Sequence, residues 1–187
     1  FILNVVLNSK NEVVKAFAGD VLAAHRRGVK VCEKISKVHV PHPADIVITS
    51  PGGSPVDIDL YQAQKAVTQA ERAVKRGGII ILVAKCEKGL GNDLFKEWMC
   101  MYSPKEIIER FKAEGFKIGA HKAFLFARSM MKAELIVVSD IPDEILEEMH
   151  LTPASDVEEA LEIAHRRIEK KADITILPHA SSSIVCL

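Results

Sequence analysis

Aromatic residues are scarce in this sequence and make up 5% of its 187 residues. The core must therefore be built mainly from Val, Ile, Leu and Ala, as it is in parallel-sheet α/β proteins. Hydrophobic residues form 48% of the chain and charged residues 27%, which is typical of a globular protein and not of a disordered one. The length fits one domain of about 150 residues, or one domain with a small addition.

Net charge, long apolar runs and paired cysteines are also missing. Lys plus Arg and Asp plus Glu each number 25, so the chain lacks the positive charge of a general nucleic-acid binder. No apolar run reaches the ~20 residues that cross a bilayer. The cysteines form no CxxC pair, which favours reduced thiols over a disulfide framework or a zinc site. We therefore expect a cytoplasmic protein that binds neither nucleic acid nor membrane.

The first residues predict a β-hairpin. Residues 2–8 and 12–18 have strand-like sequences, and the polar turn Ser9-Lys10-Asn11 joins them. Asp20 has the side chain of a helix N-cap, and the helix that follows must end before Pro41, because proline cannot continue a helix.

Short apolar strands and helices alternate after this segment. The predicted strands are 45–50, 79–84, 134–139 and 173–177, and the predicted helices are 58–76, 92–101, 104–114, 120–132, 142–149 and 155–171. Gly77-Gly78 ends the first of these helices, Ser103 and Glu106 form a capping box, and Ser155 caps the last helix. The alternation predicts a three-layer α/β fold, in which a mostly parallel sheet has helices on both faces and follows a β-hairpin.

The sequence opens directly in a strand, and we expect it to be a piece of a longer polypeptide. Residues 1–19 are predicted to form a hairpin that is shared with an N-terminal domain, and residues 20–187 an α/β C-terminal domain.

The loop after the first central strand is the best candidate for a binding site, because ligands in open parallel sheets bind beyond the carboxyl ends of the strands. Ser50, Gly52 and Gly53 are candidate loop contacts, since glycine lets the backbone approach a ligand closely. The free N–H groups at the start of the next helix favour an anion. The loop has neither the GxGxxG of dinucleotide-binding proteins nor the GK[ST] of a Walker loop.

Gln62 and Lys65 lie one turn apart on the polar face of that helix, near its start. A positive charge and an amide donor beside a helix N-terminus can hold a small carboxylate. The alternative is a solvated helix face without a ligand. Gly89-Leu90-Gly91, after the next strand, predicts a turn and a helix cap that would line the same cleft.

The seven histidines suggest no metal or catalytic site. His39 and His42 flank a proline without a third ligand at suitable spacing. His121-Lys122 at a helix start could reach a pocket, but a capping or surface role is the favoured interpretation. No Ser-His-Asp set, carboxylate pair or Cys-His pair can be assembled. The chain therefore has the features of a substrate-holding half, and we assign it no catalytic residue and no metal ligand.

Seven segments carry a longer pattern. They are residues 1–8, 18–25, Ser50-Pro-Gly-Gly53, Asp59-Leu-Tyr-Gln-Ala-Gln-Lys65, 77–80, Gly89-Leu-Gly91 and Gly119-Ala-His-Lys-Ala123. Together they resemble the C-terminal part of the nickel-dependent lactate racemase family over nearly the whole chain. The resemblance implies an enzyme that interconverts the enantiomers of a 2-hydroxy acid.

The same resemblance implies a nickel-pincer pyridinium nucleotide, tethered to a lysine, that takes hydride from the substrate carbon and returns it. Two histidines of the family exchange the hydroxyl proton. These groups belong to the family's N-terminal half, so we transfer none of their roles to this chain and expect it to hold no cofactor alone. Gln62 and Lys65 match a glutamine and a lysine that contact substrate in the family.

The family also places an aromatic residue over the substrate. Trp98, Phe124 and Phe126 are candidates, although core packing explains each of them better.

The leading hypothesis is therefore the C-terminal, substrate-holding domain of a nickel-cofactor racemase or epimerase that acts on a lactate-like 2-hydroxy acid and is inactive without its N-terminal domain. An alternative is a stand-alone anion- or nucleotide-binding α/β module without catalysis. A third is a structural domain that packs on a partner domain and exposes an apolar patch near the hairpin.

Overall fold

The computed structural model describes residues 1–8, 10–168 and 171–187. Contacts group them into two compact units, Phe1–His39 and Val40–Leu187. The predicted division lies after residue 19, whereas here the first helix packs on the hairpin and belongs to its unit. Ser9 of the predicted turn, and Glu169 and Lys170 of the last predicted helix, lie outside the described residues.

The first unit is a hairpin covered by one helix. Its elements are β1 (Ile2–Leu7), β2 (Val13–Gly19), α1 (Val21–Ser36) and the short strand β3 (Lys37–His39). β1 and β2 pair antiparallel, as predicted. The Asp20 carboxylate accepts a hydrogen bond from the Ala23 amide at 2.9 Å, which confirms the predicted N-cap.

One face of the hairpin packs against α1, and the other face is exposed within this unit. Val6 is buried, and Phe17 lies against Gly28 of α1. Leu3, Val5 and Leu7 alternate with Asn4 and Val6 along β1 and are 68%, 50% and 43% exposed. Since successive side chains of a strand point to opposite faces, one face of the hairpin is apolar and uncovered within this unit.

The second unit contains the remaining elements. The strands are β4 (Ala44–Thr49), β5 (Val74–Val83), β6 (Glu134–Val138), β7 (Thr152–Ala154), β8 (Ile174–Leu177) and β9 (Ile184–Cys186). The helices are α2 (Leu60–Ala73), α3 (Asp93–Met101), α4 (Pro104–Glu114), α5 (Ala120–Met130), α6 (Asp143–Glu148), α7 (Val157–Arg167) and a short 3-10 helix (Ala180–Ser182). Five strands form one sheet in the order β7-β6-β5-β4-β8, and each neighbouring pair is parallel.

Helices cover both faces of this sheet, which confirms the predicted three-layer fold. On β5, Ile80 and Leu82 join the larger core, to which α2, α3 and α5 contribute. Ile79 and Ile81 point to the opposite face and pack with residues of α7. The alternation of strand side chains thus builds two cores, and the aliphatic residues fill them as the composition predicts.

Two predicted boundaries are wrong. α2 ends at Ala73, and the chain enters β5 at Val74, so the Gly77-Gly78 pair lies inside a strand and does not stop the helix. A Cβ at Gly78 would lie 2.6 Å from the Asp45 carbonyl oxygen, so the position requires glycine for close strand approach.

At α7 the N-cap is Asp156 and not Ser155, because the Asp156 carboxylate accepts from the Glu159 amide. Ser155 precedes the cap and donates its amide and hydroxyl to the Glu159 carboxylate. The capping box of Ser103 and Glu106 is confirmed.

Among the described residues, no helix combines the length and apolar character needed to span a membrane. All four cysteines, Cys32, Cys86, Cys100 and Cys186, are free thiols.

The uncovered hairpin face predicts self-association of the 187-residue chain. Replacing both Leu3 and Val5 with Thr removes apolar area from this face and places at both positions a β-branched side chain that suits a strand. We expect sedimentation velocity to show a concentration-dependent increase in mean mass for the unmodified chain and a monomer for the double variant. Ile118→Thr, which changes an exposed residue of the second unit, is the control and should behave like the unmodified chain. Equal sedimentation of all three proteins would contradict the prediction.

Candidate functional site

The site is built around the first turn of α2, which follows the loop at the carboxyl end of β4. Asp59 is the N-cap, and its Oδ1 accepts a hydrogen bond from the Gln62 amide at 2.7 Å. The Leu60 amide donates to the Gly89 carbonyl at 2.9 Å, and the Tyr61 amide donates to the Leu90 carbonyl at 3.3 Å. The first three amides of the helix are therefore occupied.

This finding corrects the expectation of free N–H groups at the helix start. A bound anion would have to displace the Asp59 carboxylate, which already neutralises the positive end of the helix. Anion binding near this turn must therefore depend on side chains.

The segment after β5 fixes the start of α2 through close contact. Gly91 has a φ of +82°, and a Cβ there would lie 2.6 Å from Asp59 Oδ2. Only glycine leaves room for the capping carboxylate at this point. Asn92 then caps α3 by accepting from the Phe95 amide at 2.9 Å. The predicted turn and helix cap at Gly89-Leu90-Gly91 are present, and they also dock the two helices together.

Gln62 and Lys65 come together as predicted. The Lys65 ammonium donates to Gln62 Oε1 at 3.0 Å. Lys65 is exposed and Gln62 is half-buried. Within the described ranges, no carboxylate lies at ion-pair distance from the Lys65 ammonium. The pair offers an uncompensated positive charge at the helix start, and its contact with substrate stays a prediction.

Ser50 is tied to the end of the chain. Its amide donates to the Leu177 carbonyl at 3.0 Å, and its carbonyl accepts from the Ala180 amide at 2.9 Å. Its hydroxyl accepts from the Gly52 amide at 3.3 Å. Both backbone groups of Ser50 are therefore engaged within the protein.

Gly52 and Gly53 have positive φ values of 116° and 83°. A Cβ at Gly52 would lie 3.0 Å from His179 Nδ1, so the loop packs against the segment that follows β8. In the part of the chain that the structure describes, no hydrogen bond joins this loop to Gln62 or Lys65. The roles of Ser50, Gly52 and Gly53 as ligand contacts stay predictions.

A cavity of about 340 Å³ lies at the carboxyl ends of β4, β5 and β6, and Ser50 lines it together with Asp57 and Asp140. Lys85 also lines the cavity but is paired with Glu87, so the two carboxylates make the cavity unfavourable for an anion. Burial, followed by the charges of Asp57, Asp59 and Asp140, raises the pKa of the nearby Cys86 thiol to about 12. Cys86 therefore stays protonated and is no nucleophile.

A second lysine lies on the α5 side of the site. The Lys122 ammonium donates to Gln64 Oε1 at 2.9 Å and lies 5.5 Å from the centre of the Tyr61 ring. Gln64 is 1% exposed, and its amide nitrogen donates to the Thr68 hydroxyl at 2.6 Å. The sequence prediction of a capping or surface role misses this contact, because it joins residues 58 positions apart.

The surroundings of Lys122 disfavour its charged form. Burial is the largest cause and the Lys65 ammonium the next, and together they lower the pKa of Lys122 to about 8 against the opposing effect of Asp59. Lys65 therefore adds a like charge that disfavours the protonated form of Lys122.

Aromatic rings hold this region in place. Tyr61 meets Phe95 and His121 edge to face, with centroids 5.9 and 6.0 Å apart. The His121 ring lies 5.1 Å from that of Phe116, and His121 Nδ1 lies 3.3 Å from the Lys117 carbonyl oxygen. His121 thus packs on Tyr61 and does not cap α5, whose N-cap is Gly119.

The three aromatic candidates from the sequence lie in or against the core. Trp98 and Phe126 are 1% and 0% exposed. Phe124 is half-buried and stacks on Phe111 at 4.6 Å between centroids. Their packing agrees with the core interpretation, and the ring that the Lys122 ammonium approaches is that of Tyr61.

The described part of the protein contains no set of ligands for the implied nickel centre. Across residues 1–8, 10–168 and 171–187, no group of three or more His, Cys, Asp or Glu side chains is arranged to hold a metal ion. The described residues therefore offer no ligand set for the nickel group.

The contact between Gly91 and Asp59 makes a stability prediction. Gly91→Ala should lower the free energy of unfolding by about 3 kcal/mol, because the new methyl group collides with the capping carboxylate and the backbone is left-handed. Gly89→Ala, at a φ of +68° with open space around it, should cost only about 1 kcal/mol. Equal losses in urea denaturation would show that the contact is unimportant.

The lowered pKa of Lys122 predicts a pH-dependent stability. Between about 8 and the ordinary value of 10.5, the unfolded chain binds more protons at this residue than the folded chain, so the free energy of unfolding rises with pH in this window. Lys122→Met removes the titrating group. We expect denaturation curves to show that the stability of the unmodified chain rises relative to that of the variant from pH 8 upward. Parallel pH profiles would refute this.

Comparison with known proteins agrees with this structure. A family model described as the lactate racemase C-terminal domain matches residues 39–185. Over 190 residues the chain is 37% identical to a lactate racemase from Thermoanaerobacterium thermosaccharolyticum and 35% identical to one from Lactiplantibacillus plantarum. These alignments cover 99% of this chain, but only 44% and 45% of the two relatives.

The solved structure of the lactate racemase apoprotein from Thermoanaerobacterium thermosaccharolyticum matches with a TM-score of 0.93 at 36% identity, over 99% of this chain and 45% of that one. The chain thus spans less than half the length of the relatives it matches. The resemblance that the sequence motifs predict is confirmed, and the chain belongs to the lactate racemase C-terminal domain family.

Proposed function

We propose that this chain is the substrate-holding C-terminal domain of a racemase or epimerase that interconverts the enantiomers of a lactate-like 2-hydroxy acid. Family membership supports the reaction class. The single observation that carries the proposal is the Lys65–Gln62 pair, which presents an uncompensated ammonium and an amide at the edge of the sheet where ligands of this fold class bind.

The two side chains would divide the work of binding. The Lys65 ammonium would hold the substrate carboxylate through a charge-assisted hydrogen bond. Gln62 Oε1 accepts from Lys65, which directs this lysine, and the amide nitrogen of Gln62 would donate to the substrate. The Tyr61 ring beside them would exclude water from one side.

We further propose that a nickel-pincer nucleotide acts in the complete protein and supplies the hydride acceptor. Its lysine tether, nickel ligand and proton-transferring histidines would lie in an N-terminal domain of the same polypeptide, which would be the main partner of this chain. The uncovered apolar face of the hairpin supports such a partner. This chain alone would bind substrate weakly and would not catalyse.

The proposal also covers the cellular location of the protein and the class of its ligand. The free cysteines support a cytoplasmic location. The balanced charge supports a small acid as the ligand and neither nucleic acid nor a membrane.

A kinetic experiment tests the role of Lys65. In a polypeptide that joins this chain to the N-terminal portion found in its relatives, loaded with the nickel cofactor, Lys65→Ala should lower kcat/KM for lactate racemisation about 30-fold, because a charged contact of about 2 kcal/mol is lost. Lys112→Ala, which removes an exposed lysine of α4, is the control.

Three outcomes would count against the proposal. A Lys65→Ala value within about twofold of the unmodified enzyme would reject the substrate role of Lys65. Absence of racemisation by the loaded polypeptide would reject the reaction. Tight binding of a nucleotide or an anion by the 187-residue chain alone would favour the stand-alone binding module.

A further inference from the structure

The charges of this chain are divided unevenly between its two units. Phe1–His39 contains seven Lys and Arg residues against three Asp and Glu residues, whereas the rest of the chain contains eighteen against twenty-two. The total of zero is therefore the sum of a basic first unit and an acidic second unit. Because a net charge of +4 in so small a unit is self-repulsive, its basic residues need an explanation.

Three of these basic residues lie along one side of α1. Arg27, Lys30 and Lys34 follow one another at intervals of three and four residues, and like charges at these spacings destabilise a helix. Glu33 is the one acidic residue of α1, and its carboxylate lies 3.6 Å from the Lys37 ammonium. Among the residues that the structure describes, none of the three has a carboxylate within ion-pair distance.

A cavity of about 530 Å³ lies between β2 and α1, beside this row of charges. Arg27 and Lys30 line it from α1, and Lys15 lines it from β2. Phe17 and Val31 belong to its apolar wall. The cavity has the size of a small-molecule site, and its positive charges come from two elements of the fold.

The packing of α1 on the hairpin positions these side chains. Ala24 and Gly28 are the buried residues of α1, and a Cβ at Gly28 would lie 3.7 Å from Cδ2 of Phe17. The helix therefore contacts the hairpin through residues with little or no side chain. Arg27 and Lys30 lie beside these residues on the helix, so they line the cavity from the edge of a packed contact.

One carboxylate, that of Asp20, also lines the cavity. Its Oδ1 accepts a hydrogen bond from the Ala23 amide at 2.9 Å, so this oxygen is engaged in capping α1. The three positive charges exceed this single negative charge by two. A phosphate monoester carries a charge of about −2 near neutral pH and would balance the excess, whereas a monocarboxylate would not.

We propose that the cavity between β2 and α1 binds a small organic phosphate ester. Lys15, Arg27 and Lys30 contact the phosphate group, and the organic part lies against Phe17 and Val31. The planar guanidinium of Arg27 suits this role, because it can donate two parallel hydrogen bonds to a phosphate. The site lies within the first unit and does not involve α2, so the inference does not rest on the proposed racemase function.

Calorimetric titration of the 187-residue chain with phenyl phosphate tests the inference. Phenyl phosphate should bind saturably at one site and at least about tenfold more tightly than benzoate, because its second negative charge meets the excess of positive charge. It should also bind more tightly than inorganic phosphate, since its ring covers part of the apolar wall.

Arg26 and Arg27 provide a matched pair of variants. Both are exposed arginines of α1, but only Arg27 lines the cavity. Arg27→Gln should weaken the binding of phenyl phosphate at least about tenfold, whereas Arg26→Gln should leave it within about twofold. Lys15→Gln should weaken binding as Arg27→Gln does, although Lys15 lies on β2, because both residues line one cavity. Urea denaturation checks that each variant is folded.

Several results would overturn the inference. They are an absence of saturable phenyl phosphate binding, equal affinities for phenyl phosphate and benzoate, and equal losses in Arg26→Gln and Arg27→Gln. Loss of binding in Lys65→Ala would also reject it, because the phosphate would then lie at the start of α2. Binding that is retained in Lys65→Ala but lost in Arg27→Gln assigns the anion to this cavity, and it leaves the racemase proposal untouched.

Discussion

The candidate site depends on the contact between the Asp59 carboxylate and the backbone at Gly91. Asp59 caps α2, and the absence of a side chain at Gly91 allows the segment after β5 to reach that cap. The carbonyls of Gly89 and Leu90 then take the first two amides of α2. Tyr61, Gln62 and Lys65 all follow within two turns. Because the contact fixes the position of α2 along and about its own axis, it also fixes where these three side chains lie.

The same contact determines how an anion can be recognised. In many α/β proteins the amides of a helix N-terminus bind the anion directly. Here a carboxylate of the protein occupies that place, and Asp57 and Asp140 add negative charge on the side of the β4–β6 cavity. The positive groups lie further along α2 and on α5. Binding of an anion by the Lys65 ammonium and the Gln62 amide, as proposed, would be more selective for shape than binding by a helix dipole, because each donor has its own direction.

The sequence predicts features that depend on neighbours along the chain. The capping box at Ser103 is local, and the parallel sheet follows from the spacing of aliphatic strands and helices. The Gln62–Lys65 pair is also local, since both residues lie on one helical turn. The error at Gly77-Gly78 has the opposite cause. Glycines end helices often enough to suggest a stop, but the close approach of Gly78 to β4 is visible only after the sheet is assembled.

The position of Lys122 illustrates why the rest of the site could not be predicted from the sequence. As a sequence, His121-Lys122 is a polar pair at the start of a helix, which ordinarily lies in solvent. Its burial depends on the packing of α5 against α2, and the core that these helices share contains the small buried residues Ala63, Ala66, Ala123 and Ala127. In this packing the side chain of Lys122 is half-buried, and its ammonium contacts Gln64 and lies over the Tyr61 ring. The surroundings of Lys122 therefore follow from the way two helices pack, and no local sequence pattern reveals a contact between residues 58 positions apart.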